Sequence, residues 1–174
     1  MDVVDRLLSL GADTEVGASR NVTALMRASR EGRIDVVDRL LAAGANVNAF
    51  TMKETTALIY AASEGHVAII DRLVVHGATF NHRTDLTGKN ALIVACEYRR
   101  IDVVDRLLSF SCDVNAQDFE GGTALVWACS KRETLRSSDS CLKTTPTFHC
   151  RVVTERGPSI SLQDGQRSKP SSMV

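Results

Sequence analysis

One short string constrains what this chain can fold into. Val-Asp-Arg-Leu-Leu stands at 4–8, again at 37–41 and 104–108, and as Ile-Asp-Arg-Leu-Val at 70–74, at spacings of 33, 33 and 34 residues. A second string keeps the same period: Thr-Ala-Leu at 23–25, 56–58 and 123–125, with Asn-Ala-Leu at 90–92. Two independent strings on one period define a row of repeated supersecondary units. A unit this short cannot bury its own apolar face, but neighbours stacked in register bury it for one another, which is how a solenoid is held together.

Each unit predicts two short helices. At helical period Ile34, Val36, Val37, Leu40 and Leu41 fall on one arc, and Asp35, Asp38 and Arg39 on the other. The charged arc is expected to be a solvated face in which Asp2→Arg6, Asp35→Arg39 and Asp102→Arg106 form i,i+4 pairs, each contributing roughly 0.2–0.5 kcal/mol. The preceding helix opens at Thr23, Thr56, Asn90 and Thr123, whose side chains can accept from orphan backbone N–H groups. Leu25, Leu58, Leu92 and Leu125 are the predicted buried volume behind those caps, with small Ala residues allowing close helix approach. Gly32 and Gly65 end the first helix, and Gly11, Gly44 and Gly77 the second, where a left-handed residue is wanted. The unit at 84–117 breaks this rule, with Arg99 and Ser111 at the two glycine places. Its leading loop is also longer, Gly77 to Asn90 spanning 13 steps where Gly44 to Thr56 spans 12.

The unit TALMRASREGRIDVVDRLLAAGANVNA (23–49) resembles an ankyrin repeat, whose strings are T-P-L-H-x-A, G-H-x-x-V-V-x-L-L and G-A-x-V-N-A. The resemblance runs from about residue 2 to 130. It implies an all-α ankyrin-repeat solenoid, with antiparallel helix pairs joined by β-hairpin-like fingers, L-shaped in section and stacked in a curve. The array over 1–130 divides into a half repeat (1–17), repeats at 18–50, 51–83 and 84–117, and a half repeat (118–130). The family's Pro is Ala24, Ala57, Ala91 and Ala124 here. Its His is Met26, Ile59, Ile93 and Val126, so stability is expected to rest more on packing than on a Thr–His hydrogen bond.

Composition changes at about residue 131. All three Pro lie beyond residue 145, and 131–174 carries eight basic and four acidic residues against 13 and 17 before it. The zero net charge is thus a cancellation of +4 and −4. Ser and Thr supply 13 of the last 44 residues, and apolar residues there keep no period. Such a segment lacks the apolar area to offset its ordering entropy, so 131–174 is expected to be a disordered basic tail. The half units at either end suggest a truncated product, an altered reading frame or a piece of a longer array.

Several function classes have little support. Zero net charge supplies no basic field for nucleic acid or an anionic membrane. No apolar run reaches the length of a membrane span, and MDVVDRLLSL is unlike a signal peptide. Five Cys without Cys-x-x-Cys spacing indicate neither a disulfide framework nor a zinc finger, so a reduced, cytoplasmic or nuclear setting is expected. Cys96 and Cys129 share one repeat position and read as small core hydrophobes. His66 reads as a structural loop residue, and His76 and His82 as solvent-facing. Cys141, His149 and Cys150 would need a fourth ligand to hold a metal. Asn21-Val22-Thr23 fits a glycosylation acceptor, but Thr23 is better explained as a helix cap. Ser172-Met173-Val174 resembles a PDZ-domain ligand. No catalytic residue and no cofactor are expected.

The resemblance implies that fingers and first helices grip another protein. The groove position of the first helix holds Arg27, Tyr60, Val94 and Trp127 in successive units, and beside it lie Arg30, Glu64 and Tyr98. The finger tips offer Arg20, Met52, Lys53, Leu86, Lys89 and Phe119. Trp, Tyr and Arg most often carry interface energy, although Trp127 can equally pack the end of the stack. The chain is therefore expected to be a monomeric, non-enzymatic interaction module or scaffold. The alternatives are a regulatory or targeting fragment of a larger ankyrin-repeat protein, which could be an enzyme, and a truncated non-functional product.

Overall fold

The computed structural model describes residues 3–130 of the 174. The expectations for Asp2, for a disordered 131–174, for a Cys141–His149–Cys150 metal site and for the Ser172–Val174 terminus lie outside the described residues. Within them the chain forms α1 (Val3–Ser9), α2 (Ala24–Glu31), α3 (Ile34–Ala42), α4 (Ala57–Glu64), α5 (Val67–Val75), α6 (Ala91–Glu97), α7 (Ile101–Ser109) and α8 (Ala124–Cys129). The pairs are α2 with α3, α4 with α5, and α6 with α7. First helices stack on first helices (α2, α4, α6, α8), and second helices on second (α1, α3, α5, α7).

The caps fall where the sequence places them. Thr23, Thr56 and Thr123 each accept from the backbone N–H three residues on at 3.4 Å, and Asn90 does so at 2.9 Å. Gly32 and Gly65 close α2 and α4 with φ of 75° and 93°. Arg99, at the place of those glycines, and Ser111, at the place of Gly44 and Gly77 after the second helix, hold the same left-handed backbone with φ of 56° and 60°. The extra residue of the third finger is visible as a wider loop. Thr84 N–H bonds to Lys89 C=O, a span of five, where Ala18 to Val22, Thr51 to Thr55 and Asp118 to Gly122 span four.

Packing holds the stack together. Leu25, Met26, Leu58, Ile59, Leu92 and Ile93 from the first helices meet Val37, Leu40, Ile70, Leu73, Val103 and Leu107 from the second, all buried. Each such side chain contributes roughly 1.5–3 kcal/mol. Met26, Ile59 and Ile93, at the family's His position, are part of this core, as expected. His66 donates from Nε2 to Arg30 C=O across the repeat junction at 3.2 Å, and Arg100 Nε repeats the contact to Ser63 C=O at 2.9 Å. The loop role of His66 is thus a junction hydrogen bond.

Four expectations need correction. Leu125 and Val126 are 70% and 57% exposed, not buried, because no second helix packs beside α8 among the described residues. Cys129 is exposed for the same reason, whereas Cys96 is buried. His82 is half-buried and stacks on Phe50 with ring centroids 5.5 Å apart, so it does not face solvent freely. Finally, the charged arc pairs between repeats. Arg39 reaches Asp5 and Arg72 reaches Asp38, both at 3.2 Å, and Arg106 goes to Asp71 at 2.5 Å instead of to Asp102 on its own helix. Neighbouring second helices lie close enough for a long guanidinium arm to cross. These pairs are exposed, so each contributes at most about 1 kcal/mol.

Candidate protein-binding face

The fingers are tied to one another through the backbone. Met52 N–H donates to Arg20 C=O, Asp85 N–H to Lys53 C=O and Phe119 N–H to Thr87 C=O, at 3.0–3.1 Å. Isolated antiparallel bridges close three of the fingers, at Ala18–Val22, Phe50–Thr56 and Gln117–Thr123. The tips therefore form one continuous edge. On it Met52, Leu86 and Phe119 are 74%, 68% and 63% exposed, and Arg20 and Lys53 are exposed as well.

The first helices supply a second row. Arg27 is exposed and paired with Glu31 at 2.7 Å. Arg30 lies over the Tyr60 ring, 6.0 Å from its centroid, and 3.9 Å from Glu64. Glu64 is shared, since Arg100 approaches its other oxygen at 3.8 Å. Arg30, Tyr60 and Glu64 thus come together as one mixed aromatic and charged patch, with Tyr60 half-buried. Tyr98 stands exposed at the end of α6.

Two members of the row behave otherwise. Val94 is buried, so it offers no side chain to a partner. Being apolar, it is better satisfied by the stack than by water. Trp127 is half-buried, and its indole N–H donates to Asp118 Oδ2 at 2.7 Å. Of the two roles open to it from sequence, the geometry supplies packing at the end of the stack.

Lys89 was grouped with the finger tips but is buried. Its ammonium bonds Glu97 Oε2 at 2.7 Å and sits 3.4 Å from the centroid of the Trp127 ring. Burial alone would raise the Asp118 carboxyl. Hydrogen bonds from Trp127, Gly122 and Glu120, with the charge of Lys89, outweigh it and hold that carboxyl below the ordinary range. Sequence reasoning missed this chain of four residues. Its one signal is a Lys where the other units carry Val22, Thr55 and Gly122.

Burial pushes the Cys96 and Cys112 thiols up, away from the thiolate that a nucleophile needs. Among the described residues no three His, Cys, Asp or Glu side chains group to hold a metal, and no helix is long and apolar enough to cross a membrane. Asn21 of the acceptor-like triplet donates from Nδ2 to Phe50 C=O at 3.0 Å, while Thr23 serves as the cap of α2.

Stacked helix pairs joined by bonded fingers define a helical repeat protein. A family model described as ankyrin repeats, in three copies, matches residues 1–84 and 58–137. The chain belongs to the ankyrin-repeat family, whose members are generally protein–protein interaction modules and typically not catalysts.

Proposed function

We propose that this chain binds another protein along its fingers and first helices and catalyses no reaction. The observation that carries this is the bonded finger edge, on which Met52, Leu86 and Phe119 stand exposed in fixed register beside the Arg30–Tyr60–Glu64 patch. Side chains held on locked loops lose less entropy on association, which favours affinity. Their varied chemistry also favours specificity, whereas the Asp/Arg rows of the second helices repeat with little change. Photo-crosslinking residues placed singly at Leu86, Tyr60 and Asp38 of the full chain test the reading. Adducts with a common protein are expected from Leu86 and Tyr60 but not from Asp38. Adducts from Asp38 alone would move the site to the second helices.

A further inference from the structure

Three finger tips pair an apolar side chain with a charge. Met52 stands beside Lys53, Leu86 beside Asp85 and Phe119 beside Glu120, all of them exposed. Met52 and Leu86 lie on inner fingers bonded to a neighbour on each side, so their exposure owes nothing to the ends of the array. The charges are sorted along the edge. Arg20 makes the first tip positive, Lys53 and Glu54 offset each other on the second, and Asp85 and Glu120 make the third and fourth negative. Among the described residues none of these five side chains is held in an ion pair. We propose, resting on the finger-edge reading above, that this edge takes an extended peptide segment with apolar residues at every third position. That segment is acidic at the end over Arg20 and basic at the end over Asp85 and Glu120.

The spacing of the tips selects the form of the segment. Packed helices lie roughly 8–10 Å apart. The first helices stack on one another and the fingers are tied by backbone bonds, so successive tips repeat at about that step. A polyproline II chain rises about 9 Å in three residues and returns to the same face. Its residues i, i+3 and i+6 therefore meet Met52, Leu86 and Phe119 in turn. A β-strand covers three residues in about 10 Å but turns i+3 to the opposite face. An α-helix needs about seven residues per tip and closes its backbone groups on itself. A polyproline II chain leaves its carbonyls open, and Arg20 and Lys53 are donors for them. Aromatic side chains are the usual platform for such a chain, and Phe119 on the edge with Tyr60 and Tyr98 in the helix row supplies them. Charge complementarity then sets which end lies where, because the opposite placement brings like charges together.

Fluorescence anisotropy of the full chain with synthetic peptides tests this. The probe peptide carries three Leu spaced by three with Pro between them, two Asp before the first Leu and two Lys after the last. It is expected to bind about tenfold tighter or more than a peptide of the same composition with one Asp and one Lys at each end. That preference should fade in high salt. Arg20→Glu with Lys53→Glu, both at exposed positions and checked for unchanged circular dichroism, should weaken the probe about tenfold or more. The same variant should gain affinity for a peptide with Lys at both ends. Leu86→Ala should weaken the probe while leaving the preferred charge order as it was. Equal binding of the two charge orders overturns the proposal. So does tighter binding of a helical peptide with Leu at every seventh position, or no binding of any peptide. Crosslinks from Leu86 and Tyr60 would persist if the edge grips a partner of another shape, so this inference and the reading it rests on fail separately.

Discussion

The ammonium of Lys89 lies 3.4 Å from the centroid of the Trp127 ring while bonding Glu97 at 2.7 Å, with the Lys89 and Glu97 side chains only 10% and 8% exposed. Removing one partner of a buried ion pair leaves an uncompensated charge and costs on the order of 3–5 kcal/mol. Glu97→Ala is therefore expected to lower the urea midpoint sharply. Lys89→Met combined with Glu97→Leu should recover most of that loss, because apolar side chains need no ionic partner. A Glu97→Ala midpoint equal to wild type would mean that the pair contributes nothing.

Asp118 makes the same corner sensitive to acid. Its carboxyl is held below the ordinary range, so it binds fewer protons folded than unfolded at moderately acid pH. The stability it contributes is present above the unfolded carboxylate value of about 3.9 and is lost as pH falls through the lower folded value. Asp118→Asn removes the charge and its attraction to Lys89. The stability gap between wild type and this variant should be constant near neutrality and shrink below about pH 4. Thermal midpoints measured against pH check this, and a gap that widens on acidification would contradict the lowered carboxyl.

Arg99 and Ser111 place two strained turns in a single repeat. Both hold φ near 60°, where a side chain costs on the order of 1 kcal/mol relative to glycine. Arg99→Gly with Ser111→Gly is expected to raise the unfolding midpoint. No gain would show that their side chains make compensating contacts.

Periodicity made the helices, caps and left-handed turns legible, since Thr23, Thr56 and Thr123 or Gly32 and Gly65 act within three or four residues of their own positions. What failed depended on neighbours. Arg106 reaches Asp71 and not Asp102 because the distance between repeats, which sequence does not give, competes with one helical turn. Leu125 and Cys129 match buried counterparts in sequence, but burial belongs to the helix beside them and not to the motif. Val94 stands four residues after Asn90, as Arg27 stands four after Thr23. Yet a valine there is taken into the stack where Arg27 at the same position stays in water. The Lys89–Trp127 contact joins two repeats through side chains alone, so no spacing rule announces it.

Gly88 and Phe119 test how the wider finger keeps register with the next one. Gly88 has φ of 68°, and a Cβ there would lie 2.5 Å from Cδ1 of the Phe119 ring. Gly88→Ala thus combines two costs: a backbone term on the order of 1 kcal/mol and displacement of a ring beside the Phe119–Thr87 backbone bond. A double-mutant cycle separates them. Gly88→Ala alone should lower the unfolding midpoint, and in a Phe119→Ala background it should cost less, leaving the backbone term. Residues in contact typically couple by about 0.5–3 kcal/mol. Equal costs of Gly88→Ala in both backgrounds would show that the ring yields freely and that the glycine is needed only for its left-handed backbone.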